Sequence, residues 1–193
     1  MSLPLAFKTT LKNVPANVPY LFADKVKQAE WQQKLGAKTK PRIGIVWSGS
    51  LTNKIDLNPA SRRYIPLAEL KAILELPAEF HVLQKEFREQ DKVLLPSLKQ
   101  LHMHELTDFA STAALIEEMD LVISVCTSVA HLSGALGKET WVMLPYTADY
   151  RWLLKREDSP WYPTVKIFRQ NKIGDWTSQL AELTALIKQQ LSI

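Results

Sequence analysis

The segment from Asp120 to Pro145, DLVISVCTSVAHLSGALGKETWVMLP, constrains the fold more than any other part of the chain. Leu121 to Val125 and Thr140 to Leu144 are short apolar runs. Runs of that kind suit strands buried on both faces, the situation in a parallel sheet covered by helices. Between them Cys126, Thr127 and Ser128 form a turn, Val129 to Leu136 has the length of two helical turns, and Gly137 fits the C-terminal stop. The segment therefore predicts one parallel β-α-β unit. Its turn lies at the carboxyl end of a strand, where open α/β sheets bind ligands, and a helix N-terminus there offers unpaired N–H groups and positive potential to an anion. Thr127 and Ser128 add hydroxyl donors. His131, one turn in, can face the same crevice or sit in the core bonded to a carbonyl.

The rest of the chain continues the alternation. Residues 1–40 read as an arm or linker with Pro4, Pro15 and Pro19 and one helix, Lys25 to Leu35, with Asp24 as N-cap and Gly36 as stop. Residues 41–193 read as the folded domain. Ile43 to Trp47 is its first strand, followed by a long polar loop through Arg63, of a length that is usually functional or mobile. A helix over Pro66 to Leu76, a strand over Phe80 to Leu83, a short strand near Leu101 to Leu106, and a helix from Phe109 to Met119 capped by Thr107 or Asp108 lead to the central unit. A last strand around Val165 to Phe168 and a helix from Thr177 to Leu191 close the chain. Strands alternating with helices at these spacings argue for an α/β fold, a Rossmann-like parallel sheet with helices on both faces.

Several classes are disfavoured. The net charge of +4 is spread along the chain, and Lys34 to Arg42 reads as a solvated linker, so no nucleic-acid partner is expected. No apolar stretch reaches about 18 residues, the length a transmembrane helix needs. Met1-Ser2-Leu3-Pro4 lacks the charged and apolar regions of a secretory signal. The single cysteine fits a reducing compartment. His102 and His104 alternate on one face of a short strand with no carboxylate or cysteine at ligand spacing, so they read as surface residues and no metal site is expected. No G-x-G-x-x-G follows a strand, which disfavours a dinucleotide oxidoreductase.

A family resemblance emerges from ordered words: GIVWSGS at 44–50, IPLAEL at 65–70, LQKE at 83–86, TDFASTAALI at 107–116, the CTSVAHLSGALGKETW run, and LPYTADYRWLLKREDSPWYPTVKIFRQ at 144–170. Together they resemble glycosyltransferase family 9, the group of the ADP-heptose:lipopolysaccharide heptosyltransferases. More narrowly, they resemble the glycosyltransferase domains found behind tetratricopeptide repeats in bacterial proteins. The resemblance implies the C-terminal, donor-binding half of a GT-B glycosyltransferase. It implies a nucleoside-diphosphate sugar as substrate and no cofactor. The partner would be an upstream acceptor-binding domain, with tetratricopeptide repeats beyond it, at a cytoplasmic site or peripherally at the inner membrane.

On this reading Thr127, Ser128 and His131 surround the donor phosphates, Lys85, Lys54 and Arg63 neutralise charge as the diphosphate leaves, and Glu105 meets a ribose hydroxyl. Asp108 is more simply a cap. Cys126 departs from the family, which has aspartate there. A thiol cannot replace a carboxylate as acceptor, so transfer by this chain comes into question. A second reading makes Cys126 a nucleophile at a helix N-terminus with His131 as its base. Ser50, Asn53 and Tyr64 are lesser departures. The aromatic segment Tyr146 to Tyr162 suits a sugar platform or an interdomain surface equally. The expected function is donor recognition within a glycosyltransferase, inactive as an isolated chain. The alternative is a non-catalytic nucleotide-binding or protein-interaction module.

Overall fold

A computed structural model describes residues 3–52 and 54–191, so the departure at Asn53 lies outside the described residues. Six strands, β1 (Arg42–Val46), β2 (Glu79–Val82), β3 (Leu101–His102), β4 (Leu121–Val125), β5 (Thr140–Leu144) and β6 (Val165–Arg169), form one sheet in the order β3-β2-β1-β4-β5-β6. Every neighbouring pair is parallel. All residues of β1, β4 and β5 are buried, as expected of strands covered on both faces. The order runs outward from β1 to β3, then restarts at β4 on the other side of β1. A topological switch point therefore lies between β1 and β4.

One turn, α1 (Leu3–Ala6), and α2 (Lys25–Leu35) precede the sheet; α3 (Lys71–Leu74), α4 (Glu89–Leu94), α5 (Phe109–Glu117), α6 (Ser128–Ala135) and α7 (Thr177–Leu191) connect and close it. The Asp24 carboxylate accepts from Val26 N and Lys27 N at 2.9 Å, and Gly36 ends α2 at φ 68°. Both termini of that helix follow from its sequence. α2 packs on α5: Trp31 Nε1 donates to Ser111 O at 3.1 Å, while Gln28 and Gln32 donate to Glu118. Gly44 lets β1 pass beneath this layer, because a Cβ there would lie 2.5 Å from Leu83 Cδ1 and 3.3 Å from Met119 Cγ. Leu183 and Ile187 of α7 are fully buried.

Three elements differ from the sequence expectation. The helix expected over 66–76 is a 3₁₀ segment, Leu67–Leu70, running into the single turn of α3. The third strand ends at His102, because His104 turns under α2 to meet Trp31. α4 is absent from the sequence expectation: its polar EQDKVL has no apolar stripe long enough to read, and Pro96 follows immediately in the 3₁₀ turn Leu95–Ser97.

Candidate functional site

The carboxyl ends of β1 and β2 are tied together before any ligand is considered. Trp47 N and Ser48 N donate to Gln84 Oε1 at 2.8 and 3.2 Å. The Asp91 carboxylate of α4, 1% exposed, gathers Trp47 Nε1 at 3.0 Å, the Tyr64 hydroxyl at 2.9 Å and Leu67 N at 3.3 Å. Burial, with Asp91 adding to it, pushes the Tyr64 phenol up to about 12, so it stays protonated and donates.

The long loop after β1 is also anchored. Gly49 N donates to Arg63 O at 2.7 Å, and Ile65 N to Trp47 O at 2.9 Å, closing the two ends. Inside, the Asp56 carboxylate, 7% exposed, accepts from Arg63 N at 2.9 Å and from its Nε and Nη2 at 3.1 Å. Arg63 Nη1 reaches on to Cys126 O at 3.2 Å and fastens the loop to the turn before α6. Glu86 Oε2 accepts from Leu51 N at 2.9 Å and Ser50 Oγ at 3.4 Å, holding the loop from the β2 side.

These ties shape a crevice of about 200 Å³ at the switch point, bordered by Ser48–Ser50, Leu83–Glu86, Phe109, Thr112 and Thr127–Val129. The N-terminus of α6 opens into it. Its first-turn N–H groups have no intrahelical acceptor, and Thr127 does not cap them, its hydroxyl lying 3.2 Å from Ser124 Oγ. The exposed Lys85 borders the same space, with Nζ 3.4 Å from Thr107 O. The neighbouring carboxylate, Glu86, is engaged by the loop. Donors and positive potential therefore converge where an anion fits. A larger depression of about 470 Å³ lies away from the strand ends, between α3 and α7, bordered by Glu69 and Asp175 and by no basic side chain.

Behind the turn, Cys126 and His131 belong to an aromatic cluster. Trp152, fully buried, donates Nε1–H to Cys126 Sγ at 3.0 Å and stacks on His131 with 5.0 Å between centroids. His131 Nδ1 pairs with the Tyr162 hydroxyl at 3.1 Å. Burial raises the Cys126 thiol, while burial and then Arg151 lower His131, so both are held neutral. A sealed neutral thiol whose neighbour is an indole is not a nucleophile with a poised base, and the second reading of Cys126 is corrected accordingly. The cluster is tightly packed: a Cβ on Gly134 would lie 2.6 Å from Tyr162 Cγ and 3.0 Å from its Cβ. In Gly134→Ala a gain of about 1 kcal/mol in helix propensity is outweighed by overpacking at the upper end of about 1–3 kcal/mol. The expected net loss, roughly 2 kcal/mol, is read from urea unfolding.

Of the residues singled out from sequence, the structure brings Thr127, Ser128 and Lys85 together. Lys54, in the 3₁₀ turn Lys54–Leu57, and Glu105, beyond β3, are exposed outside the crevice lining. Arg63 points into its own loop and His131 into the aromatic cluster. Asp108 is the cap of α5, accepting from Ser111 N at 2.6 Å. His104 is half-buried rather than a surface residue, bonded to His81. Sequence reading missed Asp56, Gln84 and Asp91. Gln84 and Asp91 act on residues 37 and 44 positions away, and Asp56 pairs with Arg63 seven positions on, inside a polar loop with no periodic pattern to mark it.

Among the described residues no helix is long and apolar enough to cross a membrane. No protein-family model matches the chain. Protein FlbA of Caulobacter vibrioides is 24% identical over 193 aligned positions, covering 95% of this chain and 31% of FlbA. The structure of E. coli ADP-heptose lps heptosyltransferase II superposes with a TM-score of 0.56 at 16% identity, over 89% of this chain and 54% of that one. A glycosyl transferase family 9 structure from Veillonella parvula gives a TM-score of 0.52 at 12% identity, over 84% of this chain and 46% of that one. The chain thus spans about half the length of the solved structures it matches and about a third of the curated relative. Its six parallel strands, their order and these overlaps make it a Rossmann-like domain of the fold from which GT-B glycosyltransferases are built.

Proposed function

We propose that this domain binds the diphosphate of a nucleoside-diphosphate sugar and supplies donor recognition to a glycosyltransferase. One observation carries the reading: the uncapped N-terminus of α6, the Thr127 and Ser128 hydroxyls and Lys85 converge in a crevice at the β1/β4 switch point. In this reading the helix N-terminus and Lys85 offset the charge that grows on the diphosphate as the glycosidic bond breaks. His131 acts indirectly, by fixing Trp152 and Tyr162 behind the turn. Lys54 and Arg63 serve the loop that walls the crevice, and Glu105, exposed outside the lining, meets the ribose where the donor extends past the phosphates.

The space of about 200 Å³ is below the roughly 300–1,000 Å³ of complete small-molecule sites. It accommodates the phosphates and leaves the rest of the donor to be covered by a second unit. That unit brings the acceptor, and we place tetratricopeptide repeats beyond it. Support for the second unit, though not for the repeats, comes from the matched structures, each of which is about twice as long as the region matched. The isolated chain is therefore expected to bind nucleotides weakly and to transfer no sugar. The sealing of Cys126 against Trp152 favours, as a second reading, a module that has kept nucleotide binding and lost transfer.

A thermal-shift series with ADP, GDP, UDP, CDP and their sugar conjugates, followed by calorimetry, tests the proposal. Saturation at about 100 times Kd adds roughly 2.7 kcal/mol, or several degrees at about 2–4 °C per kcal/mol. Lys85→Ala, at an exposed position, is expected to weaken the selected nucleotide about tenfold without changing the Tm of the free domain. A folded sample that responds to no nucleotide would overturn the proposal. Measurable sugar transfer by the chain alone would overturn its division of labour.

A further inference from the structure

The segment ahead of the sheet leaves its apolar side chains in water. Leu3, Leu5, Phe7, Leu11, Phe22 and Val26 are each at least 63% exposed. So many large apolar side chains left uncovered in one short stretch mark a surface that another body covers. Residues 3–27 also hold most of the chain's charge: Lys8, Lys12, Lys25 and Lys27 with no arginine, and Asp24 as the one acid, a net +3 out of +4. The Asp24 carboxylate is committed to the backbone of α2, and Lys27 reaches Asp108 at 3.4 Å. Lys8, Lys12 and Lys25 are exposed among the apolar side chains.

The start of the segment is closed on itself. Phe7 N donates to Leu3 O at 2.9 Å, Lys8 N to Leu5 O at 3.1 Å and Asn13 N to Thr10 O at 3.1 Å. Thr10 N donates to Asn13 Oδ1, and Asn13 Nδ2 to Lys8 O at 3.2 Å. The backbone is turned inward and the apolar side chains outward, the reverse of a loop packed on a core. Such a knob can enter an apolar phase, where unpaired N–H groups are heavily penalised. The charge decides which phase. Cores of protein interfaces are depleted of lysine and favour arginine. Lysines interleaved with Leu and Phe match an anionic bilayer, in which apolar side chains sink below the headgroups and ammonium groups stay with the phosphates.

We propose that residues 3–26 are an interfacial anchor for an anionic lipid bilayer: Leu5, Phe7, Leu11 and Phe22 enter the headgroup layer, and Lys8, Lys12 and Lys25 meet lipid phosphates. Tyr20 N and Leu21 N donate to Ala135 O at 3.0 and 3.2 Å, which fixes the anchor to the last turn of α6. The first turn of that eight-residue helix opens into the crevice, about 12 Å away along its axis. The crevice therefore stays open to water, and the anchor does not depend on which ligand the crevice takes.

Co-sedimentation of the 193-residue chain with vesicles of phosphatidylcholine, alone or with about 30% phosphatidylglycerol, at low and at about 0.5 M salt, tests this. Each lysine at an anionic surface contributes about a fivefold gain, so the anionic vesicles are expected to bind at least about tenfold more tightly, and high salt to remove most of the difference. Lys8→Gln/Lys12→Gln should lower binding to the anionic vesicles about 20-fold, and Leu5→Ser/Phe22→Ser at least about tenfold. All four positions are exposed, so the Tm should not move. Lys99→Gln/Lys172→Gln, at exposed lysines outside the segment, should lower binding less than about twofold. No binding to anionic vesicles, equal binding to both kinds, an equal loss in the Lys99/Lys172 variant, or no loss in either segment variant would overturn the anchor. So would a lipid-free dimer that the Leu5/Phe22 variant dissociates, which would assign these side chains to a second copy of the chain.

Discussion

Replacing Asp91 by alanine is expected to remove about 3–5 kcal/mol of stability, a large share of the roughly 5–15 kcal/mol that holds a domain of this kind together. Asp91 sits on α4, and its carboxylate holds the indole of Trp47, the hydroxyl of Tyr64 and the amide of Leu67. Alanine leaves three donors in a place 1% exposed, where water cannot replace the lost acceptor. The cost is less than the sum of three separate bonds, because Tyr64 can reorient while Trp47 and Leu67 N cannot. Asp91→Asn keeps one carbonyl oxygen and should lose less than half as much. At about 2–4 °C per kcal/mol the alanine variant should melt some 10 °C lower. A drop below about 1 kcal/mol, with the urea slope unchanged, would mean that the network relaxes around the gap and that Asp91 is not the tie between β1, the loop and α4.

Asp91 also marks where reading the sequence stops. The central β-α-β unit is legible because its information is local: apolar runs, a turn and Gly137, at φ 73°, all fall within the unbroken run from Asp120 to Pro145. α2 is legible for the same reason, with Asp24 and Gly36 each acting on backbone within a few residues. The crevice is legible only in part. Thr127 and Ser128 follow from the unit itself, and Lys85 follows from its place just past a strand. By contrast Asp91 bonds a residue 44 positions away, Gln84 one 37 away, and Trp176 Nε1 finds Tyr64 O across 112. A polar residue in a polar word carries no mark of such a partner. His104 escapes the sequence reading for the same reason: period two along a short strand describes the edge of a sheet, but not the helix that folds back over it.

The long loop after β1 should fail in a diagnostic way when its internal ion pair is broken. Asp56 and Arg63 are joined by two side-chain bonds and one backbone bond, with side chains 5% and 17% exposed. Asp56→Ala strands the guanidinium with Cys126 O as its remaining partner, and Arg63→Ala strands a buried carboxylate; each is expected to lose about 3–5 kcal/mol. The double variant removes both stranded charges at once, so its loss should fall short of the sum by about 2–3 kcal/mol. This coupling separates two roles for Arg63. If its cation met the diphosphate instead of its own loop, Asp56→Ala would leave stability within about 0.5 kcal/mol, and Arg63→Ala would weaken the nucleotide alone, as expected for Lys85→Ala. With the pair acting as a clasp, affinity and stability fall together in both single variants, because the guanidinium that Asp56 holds is also the group that bonds Cys126 O beside the Thr127 turn. Urea unfolding of the four proteins in the cycle, with nucleotide calorimetry on each, decides whether the positive charge nearest the α6 turn serves the ligand or the loop around it.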